Sequence, residues 1–218
     1  MQTNILDWLE ATAAHTPDGA AVGDAQQDYT WAQLAELARR SGSALAARTA
    51  PRRPAAFYLE KSAPAFAAML GTVYAGCCYS VLDPRQPVAR TRQVLDTLAP
   101  ALLITDAEHA DAAAKLSYSG PILSLESLLT ADEDATLLAA RRVQAVDVDP
   151  LYINFTSGST GVPKGVTVSH RSVLDFIPQF AAIFAIKAQD ILGNQAPFDF
   201  DVSVKDLYTA LYTGAKVQ

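Results

Sequence analysis

The stretch that decides the fold is Phe155-Thr156-Ser157-Gly158-Ser159-Thr160-Gly161-Val162-Pro163-Lys164-Gly165. Residues that favour β-strands lead into it at 151–155 and out of it at 166–168. Glycines let backbone N–H groups approach an anion closely, and consecutive N–H groups in a tight turn form a concave anion-binding nest. Hydroxyl side chains add hydrogen-bond donors, and the lysine adds a mobile positive charge. The pattern predicts a loop between two strands that binds the phosphates of a nucleotide.

This loop differs from the Walker A type of phosphate loop. Pro163 precedes Lys164, Gly165 follows it, and the next residues favour a strand, whereas a Walker A lysine precedes Ser or Thr and opens a helix. A plain glycine-rich hairpin turn is a second interpretation. Such a turn needs only about two to five residues, so this longer, donor-rich loop favours the phosphate-binding interpretation.

The composition bounds the class of protein. Of 218 residues, half are hydrophobic and 18% are charged, which supports a large buried core. The net charge of −6 without a basic block argues against nucleic acid as a partner. Cys77 and Cys78 are adjacent, so they predict neither a disulfide framework nor a cysteine metal site. The sequence assigns no residue as a metal ligand. The sequence lacks a signal-like start and a bilayer-length apolar run, which predicts a cytoplasmic protein with no membrane partner.

Alternating strand and helix patterns predict an α/β fold of mostly parallel sheets flanked by helices. Helical spacing is found at residues 5–15, 31–48, 63–75, 88–98, 106–116 and 170–185, with Thr30 as the cap of the second helix. Strand patterns are found at residues 20–24, 28–30, 55–59, 77–82, 101–105, 121–125 and 191–193. Residues 141–149 are predicted to form a polar surface link, and His170 to have a structural place near a helix start. Because open α/β sheets bind ligands at the carboxyl ends of their strands, the glycine-rich loop is expected at that edge.

Thr156 to Gly165 resembles the phosphate-loop signature of the adenylate-forming (ANL) superfamily. That superfamily includes acyl-CoA synthetases, luciferases and the adenylation domains of non-ribosomal peptide synthetases. Residues 29–34 and 71–84 resemble two further signatures of amino-acid adenylation domains. The resemblance implies that 1–218 is the N-terminal portion of the large adenylation subdomain, without the remainder and without the small C-terminal subdomain.

The resemblance also implies roles for the loop. Its predicted ATP phosphate-binding residues are Thr156, Ser157, Gly158, Ser159, Thr160, Gly161 and Lys164. The implied cofactors are ATP and Mg²⁺. The family activates an amino acid as aminoacyl-AMP, releases pyrophosphate, and transfers the acyl group to the phosphopantetheine thiol of a peptidyl or acyl carrier protein. The family's catalytic lysine is expected after Gln218, so no catalytic residue is assigned in this fragment, and 1–218 alone is predicted to have little or no activity.

A second informative stretch is Pro197-Phe198-Asp199-Phe200-Asp201-Val202-Ser203-Val204-Lys205-Asp206-Leu207-Tyr208. Its Phe-Asp-Val-Ser core resembles the family motif that opens the amino-acid pocket, which implies that Asp201 holds the substrate ammonium and that Val202 lies beside it. A carboxylate on a pocket wall favours an ammonium over a plain fatty acyl chain. An ordinary helix N-cap at Asp201 is the alternative, and Asp199 is a rival carboxylate two residues earlier.

Lys205 departs from the family pattern. The position four residues after the motif aspartate is implied to line the side-chain pocket, where many members carry an aromatic or apolar group. One interpretation is that Lys205 pairs with a second acidic or polar group on the substrate, or narrows the pocket for a small amino acid. The other is an ion pair with Asp201 one helical turn away.

Asp206-Leu207-Tyr208 is also similar to stand-alone ligases of the family that load D-alanine onto a carrier protein. Two other functions stay open at this point. One is an acyl- or aryl-CoA ligase of the same superfamily, which would not need the Asp201 carboxylate. The other is a truncated, non-catalytic binding module.

Overall fold

The computed structural model describes residues 2–156 and 161–218, and Ser157, Gly158, Ser159 and Thr160 lie outside the described residues. The helices are α1 (Leu6–His15), α2 (Trp31–Ala46), α3 (Ala63–Tyr74), α4 (Val88–Leu98), α5 (Ala110–Ala114), α6 (Leu125–Leu129), α7 (Ala135–Gln144), α8 (His170–Ile183) and α9 (Val202–Thr213). The strands are β1 (Ala20–Gly23), β2 (Asp28–Thr30), β3 (Pro54–Tyr58), β4 (Cys78–Leu82), β5 (Leu102–Thr105), β6 (Ile122–Ser124), β7 (Pro150–Thr156), β8 (Lys164–Ser169), β9 (Ile191–Leu192) and β10 (Lys216–Val217).

These strands form two sheets. The larger has the order β6-β5-β3-β4-β7-β8 and is parallel except for β8, which pairs antiparallel with β7. The smaller has the order β2-β1-β10-β9, with an antiparallel β1–β2 hairpin and parallel pairs beside it. Helices flank the larger sheet, as the alternating sequence pattern predicts.

Alternation along β3 divides the core between the two faces of the larger sheet. Ala55 and Phe57 pack into a cluster with residues of α1, α2, α3, α8 and α9. Ala56 and Tyr58 face the opposite way, into a smaller cluster with α4 and α5. Successive side chains of a strand point to opposite faces, so a strand buried on both faces is apolar throughout.

Local sequence explains most element boundaries. The Thr30 side chain accepts the Gln33 N–H at 3.3 Å, and the Gln33 side chain accepts the Thr30 N–H at 2.9 Å, which forms a capping box at the start of α2. Gly214 follows α9 with a φ of +80°, the left-handed conformation that suits a helix end.

Two predicted segments need correction. The helix predicted at 106–116 is only Ala110–Ala114, because Asp106 Oδ1 accepts the His109 N–H at 2.8 Å and so stabilises a turn that competes with helix. The surface link predicted at 141–149 is partly helical, since α7 continues to Gln144. Arg141 donates from Nη2 to the carbonyls of Ala46 and Thr49, a tertiary contact that the local sequence does not show.

His170 is the first residue of α8 and is buried, with 3% of its surface exposed. Its Nδ1 accepts the Ile5 N–H at 3.3 Å, which ties α8 to the start of α1. Burial lowers the pKa of His170 to about 4, although the charges of Asp149, Asp7 and Asp147 act in the opposite direction. The imidazole is therefore neutral in the folded protein near neutral pH, which fits the structural place predicted for it.

This depressed pKa makes stability depend on pH. Between the ordinary value near 6.5 and about 4, the unfolded chain binds a proton that the folded chain does not. The free energy of unfolding should therefore fall as pH drops through this window, by up to about 1.4 kcal/mol per pH unit. Urea unfolding at pH 7 and pH 5 measures the slope. His170→Asn keeps an acceptor near the Nδ1 position and should show a shallower slope; equal slopes for the two proteins would contradict this account.

Candidate functional site

The glycine-rich loop connects the two strands of one antiparallel hairpin. Thr156 of β7 pairs with Lys164 of β8, and the pairing continues to Pro150 opposite Ser169. The loop, residues 157–163, leaves the sheet at the carboxyl end of β7, the edge where open α/β sheets bind ligands. The second interpretation, a hairpin turn, is therefore correct about the pairing of the two strands. The loop of residues 157–163 is nevertheless longer than the roughly two to five residues that a plain hairpin turn needs.

The described part of the loop has an open backbone and an exposed lysine. Gly161 has a φ of +79°, and a Cβ added there would meet no atom within 4 Å, so the backbone is open on that side. Lys164 is exposed at the mouth of the loop. The roles predicted for Ser157, Gly158, Ser159 and Thr160 fall outside the described residues and remain predictions, as do those of Thr156, Gly161 and Lys164.

A groove of 330 Å³ lies between the hairpin and helices α8 and α9. Its lining residues are Tyr152, Val168, Ser172, Val173, Phe176, Asp201, Val202, Val204 and Lys205. The structure thus brings the three predicted substrate-binding residues, Asp201, Val202 and Lys205, to one concave surface. Tyr152 and Val168 are paired across the same hairpin whose loop carries the predicted phosphate-binding residues.

Asp201 precedes α9 but does not cap it. Its backbone is helical (φ −60°, ψ −23°), and its side chain accepts no hydrogen bond from the helix N–H groups. The first turn is closed by backbone bonds instead, from Ser203 N–H to the Phe200 carbonyl at 3.0 Å and from Val204 N–H to the Asp201 carbonyl at 3.2 Å. Asp201 therefore occupies the N-cap position of α9 without a side-chain capping bond, and its exposed carboxylate stands at the groove.

Asp199, the rival carboxylate, lines a different cavity. That cavity, of 50 Å³, also includes Asp83, Arg90 and Phe155. Burial and the nearby Asp83 charge raise the pKa of Asp199. Since Asp199 is absent from the lining of the larger groove, the geometry favours Asp201 as the group that faces a substrate there.

Lys205 does not form the predicted ion pair with Asp201, although both line the groove. Its Nζ lies 5.9 Å from the centre of the Phe180 ring, within the range of a cation–π contact. Such a contact at an exposed site stabilises by only about 0.5–1 kcal/mol. The Lys205 ammonium is therefore available to a stronger partner in the groove.

Tyr152, which lines the groove, belongs to a buried tyrosine cluster. The Tyr152 ring stacks on Tyr79 at 6.0 Å between centroids, and the hydroxyls of Tyr79 and Tyr208 are 2.7 Å apart. Burial and the Asp201 charge raise the pKa of Tyr152 to about 12. The sequence did not predict Tyr152 as a site residue, because its place in the groove depends on packing between β7 and α9. Its position in the strand, four residues before Thr156, was the one feature that could have indicated it.

A hydrogen bond fixes the segment before α9. Asn194 Nδ2 donates to Asp206 Oδ2 at 3.0 Å. Burial raises the pKa of Asp206, and the bond from Asn194 acts in the opposite direction. Asp206 therefore has a structural contact and lies outside the groove lining.

A larger cavity, of 580 Å³, contains none of the predicted site residues. It is lined in part by Asp24, Asp106 and Glu126, whose carboxylates already accept N–H groups of the protein. No group of three or more His, Cys, Asp or Glu within 2–156 and 161–218 is arranged to hold a metal ion. In the same ranges, every helix is too short or too polar to cross a membrane.

The AMP-binding enzyme family matches residues 9–218 of this sequence. The chain belongs to the AMP-binding enzyme family. The match covers both the glycine-rich loop and the Asp201 stretch, so the superfamily resemblance and the α/β fold expected from it are confirmed.

Individual relatives agree with this assignment. The chain is 33% identical over 203 residues to nonribosomal peptide synthetase 32 of Fusarium pseudograminearum, covering 92% of this chain and 2% of that protein. It is 32% identical to the D-alanine–D-alanyl carrier protein ligase of Listeria monocytogenes, covering 98% of this chain and 42% of the ligase. The chain therefore spans less than half the length of these relatives.

Solved structures show the same fold. The nonribosomal peptide synthetase FmoA3 in its α-methyl-L-serine-AMP bound form superposes with a TM-score of 0.87 at 28% identity, covering 98% of this chain and 23% of that one. The AMPPNP-bound form of FmoA3 superposes with a TM-score of 0.85 at 27% identity.

Proposed function

We propose that the full-length gene product activates an amino acid with ATP. The substrate carboxylate attacks the α-phosphorus, an O–P bond forms, and the bond from the α-phosphorus to the leaving oxygen breaks. Its electron pair leaves with pyrophosphate, and the product is aminoacyl-AMP. Transfer of the acyl group to a phosphopantetheine thiol on a carrier protein is the second step of the proposal. The relatives that load carrier proteins support it.

The observation that carries the proposal is the groove that Asp201 shares with the hairpin. The exposed carboxylate of Asp201 suits a substrate ammonium, and the hairpin loop suits phosphates. Reactions of this kind depend on positioning and charge stabilisation more than on covalent participation of the protein. Because one hairpin carries both a wall of the groove and the predicted phosphate-binding loop, it can hold the amino acid and ATP in fixed positions relative to each other.

The described residues fit ATP through the open backbone at Gly161 and the exposed Lys164. Mg²⁺, which prefers oxygen ligands and retains several waters, would be bound mainly by the phosphates, with loop hydroxyls as additional ligands. The metal would neutralise phosphate charge. Residues 1–218 alone are proposed to have little activity, because the resemblance implies that the family's catalytic lysine is not among them.

Amino-acid-dependent ATP–pyrophosphate exchange tests the proposal. The full-length gene product is assayed with a panel of amino acids and with matched carboxylic acids that lack the α-amine. We expect exchange with one or a few amino acids and background exchange with their amine-free counterparts. Activation of the amine-free acids, with coenzyme A as the acceptor, would favour the acyl- or aryl-CoA ligase. Nucleotide binding without exchange would favour the binding module.

We further propose that Lys205 pairs with an acidic or polar group on the substrate side chain. The lysine lines the groove one helical turn from Asp201, and its ammonium lies over the Phe180 ring, a weak contact. Lys205→Ala should therefore lower kcat/KM for the preferred acidic amino acid by about 10- to 100-fold, the range for a lost hydrogen bond to a charged group. Lys187→Ala, at an exposed position outside the groove, is the matched control. An unchanged ranking of amino acids in Lys205→Ala would refute the pairing.

A further inference from the structure

The segment of residues 193–200 leads directly to Asp201 at the groove. It joins β9 to α9 and contains no helix or strand, so its backbone groups need partners elsewhere. Phe198, in the second half of the segment, is buried in the main core cluster. The Asp201 side chain makes no capping bond to α9. The direction of its carboxylate therefore depends on how the preceding segment is held.

Asn194 holds the start of this segment through three of its polar groups. Its backbone N–H donates to the Gln218 carbonyl at 2.9 Å, which continues the parallel pairing of β9 and β10. Its Nδ2 donates to Oδ2 of Asp206, in α9, at 3.0 Å. Its backbone carbonyl accepts a hydrogen bond from Lys61 Nζ at 2.5 Å. Asn194 therefore joins the smaller sheet, α9 and the connection after β3.

Lys61 supplies the link to the larger sheet. It lies between β3 and α3, and its Nζ also donates to the Ala196 carbonyl at 3.4 Å. An ammonium has three donors, so one side chain can bind two carbonyls of the segment, and its charge strengthens both bonds. Because Lys61 is exposed and Phe198 anchors the segment in the core, loss of these bonds should leave the overall fold intact. The effect of Lys61 is therefore local to the segment.

We propose that Lys61 and Asn194 are positioning residues that keep residues 193–200 in the conformation in which the Asp201 carboxylate faces the groove. Neither residue belongs to the groove lining, so both act through Asp201. The inference rests on the proposed amino-acid activation, in which Asp201 binds the substrate ammonium. It adds the two contacts that orient this carboxylate, one from the larger sheet and one to α9.

Lys61→Met in the full-length gene product tests the proposal. Methionine keeps most of the stem and removes the ammonium. KM for the preferred amino acid should rise about 5- to 30-fold, because a misdirected partner for the substrate ammonium weakens binding in the ground state and the transition state alike. The values of kcat, KM for ATP and the thermal midpoint should stay near wild type. Lys61→Arg keeps charged donors and should bring the amino-acid KM to within about threefold of wild type. Lys115→Met, at the exposed end of α5, is the matched control.

A double-mutant cycle shows whether Lys61 acts through Asp201. If Lys61 only directs that carboxylate, Lys61→Met should change the amino-acid KM by less than about twofold when Asp201→Asn is already present. Asn194→Ala removes the bond to Asp206 and keeps the Asn194 carbonyl, and its effect should depend on Asp201 in the same way.

The results separate this inference from the proposed function. Wild-type exchange with an unchanged amino-acid KM in Lys61→Met and Asn194→Ala overturns the inference and leaves amino-acid activation standing. An equal loss with and without the Asp201 carboxylate, or a loss that follows the thermal midpoint, means a general structural role and also overturns it. Absence of amino-acid-dependent exchange in the wild type overturns both. A raised KM that depends on Asp201, is rescued in Lys61→Arg and is absent in Lys115→Met supports the inference.

Discussion

Asp201→Asn is expected to lower kcat/KM for amino-acid-dependent exchange by about 30- to 1000-fold. The substitution keeps the shape of the side chain and removes the charge that would pair with a substrate ammonium. Truncating one partner of a desolvated charge pair costs about 2–4 kcal/mol, and about 1.4 kcal/mol corresponds to a factor of ten. The fold should be unaffected, since the Asp201 side chain makes no capping bond to α9. Steady-state exchange kinetics measure the loss.

Asp199→Asn is the matched control for this prediction. It makes the same change two residues earlier, at a carboxylate that faces another cavity. We expect a much smaller loss of exchange there. The assignment would be reversed by a large loss in Asp199→Asn with near wild-type kinetics in Asp201→Asn. Because burial raises the pKa of Asp199, this control should also be neutral or stabilising toward unfolding at pH 7.

Gly71→Ala is expected to lower the free energy of unfolding by about 1–3 kcal/mol, the usual cost of overpacking a core. Gly71 lies in α3 where that helix contacts α2. A Cβ there would lie 2.5 Å from the Ser41 Cβ, 2.9 Å from the Ala38 carbonyl oxygen and 3.0 Å from the Gly42 nitrogen. Backbone atoms cannot move aside as a flexible side chain can. The clash should outweigh the gain in helix propensity of about 1 kcal/mol that alanine brings.

Gly193→Ala is the control for the helix contact. A Cβ at Gly193 would meet nothing within 4 Å, and its φ is not positive. That variant should be neutral or slightly stabilising, because alanine reduces the freedom of the unfolded chain. Urea titrations of both variants with unchanged m-values give the comparison. Equal urea midpoints for Gly71→Ala and Gly193→Ala would contradict the prediction, because they would show that α2 and α3 can move apart at little cost in free energy.

Much of the fold followed from local pattern. Apolar spacing of two residues predicted the strands, spacing of about 3.6 residues predicted the helices, and Thr30 marked the start of α2 through interactions within a few residues. The helix at 106–116 was overpredicted because the Asp106 side chain closes a turn onto His109. The link at 141–149 was underpredicted because Arg141 contacts residues almost a hundred positions away along the sequence.

By itself, the sequence determined the α/β class, the loop between two strands and, through that loop, membership of the adenylate-forming superfamily. Each of these depends on residues that are close together in the chain. Only the tertiary structure decided that Asp201 faces the groove instead of capping α9, that Asp199 faces another cavity, and that Tyr152 shares the surface with Asp201. The physical reason is that a side chain's partners depend on how β7, α8 and α9 pack. Burial of His170 against the start of α1 keeps its imidazole neutral, and that effect is not set by nearest neighbours in the chain either.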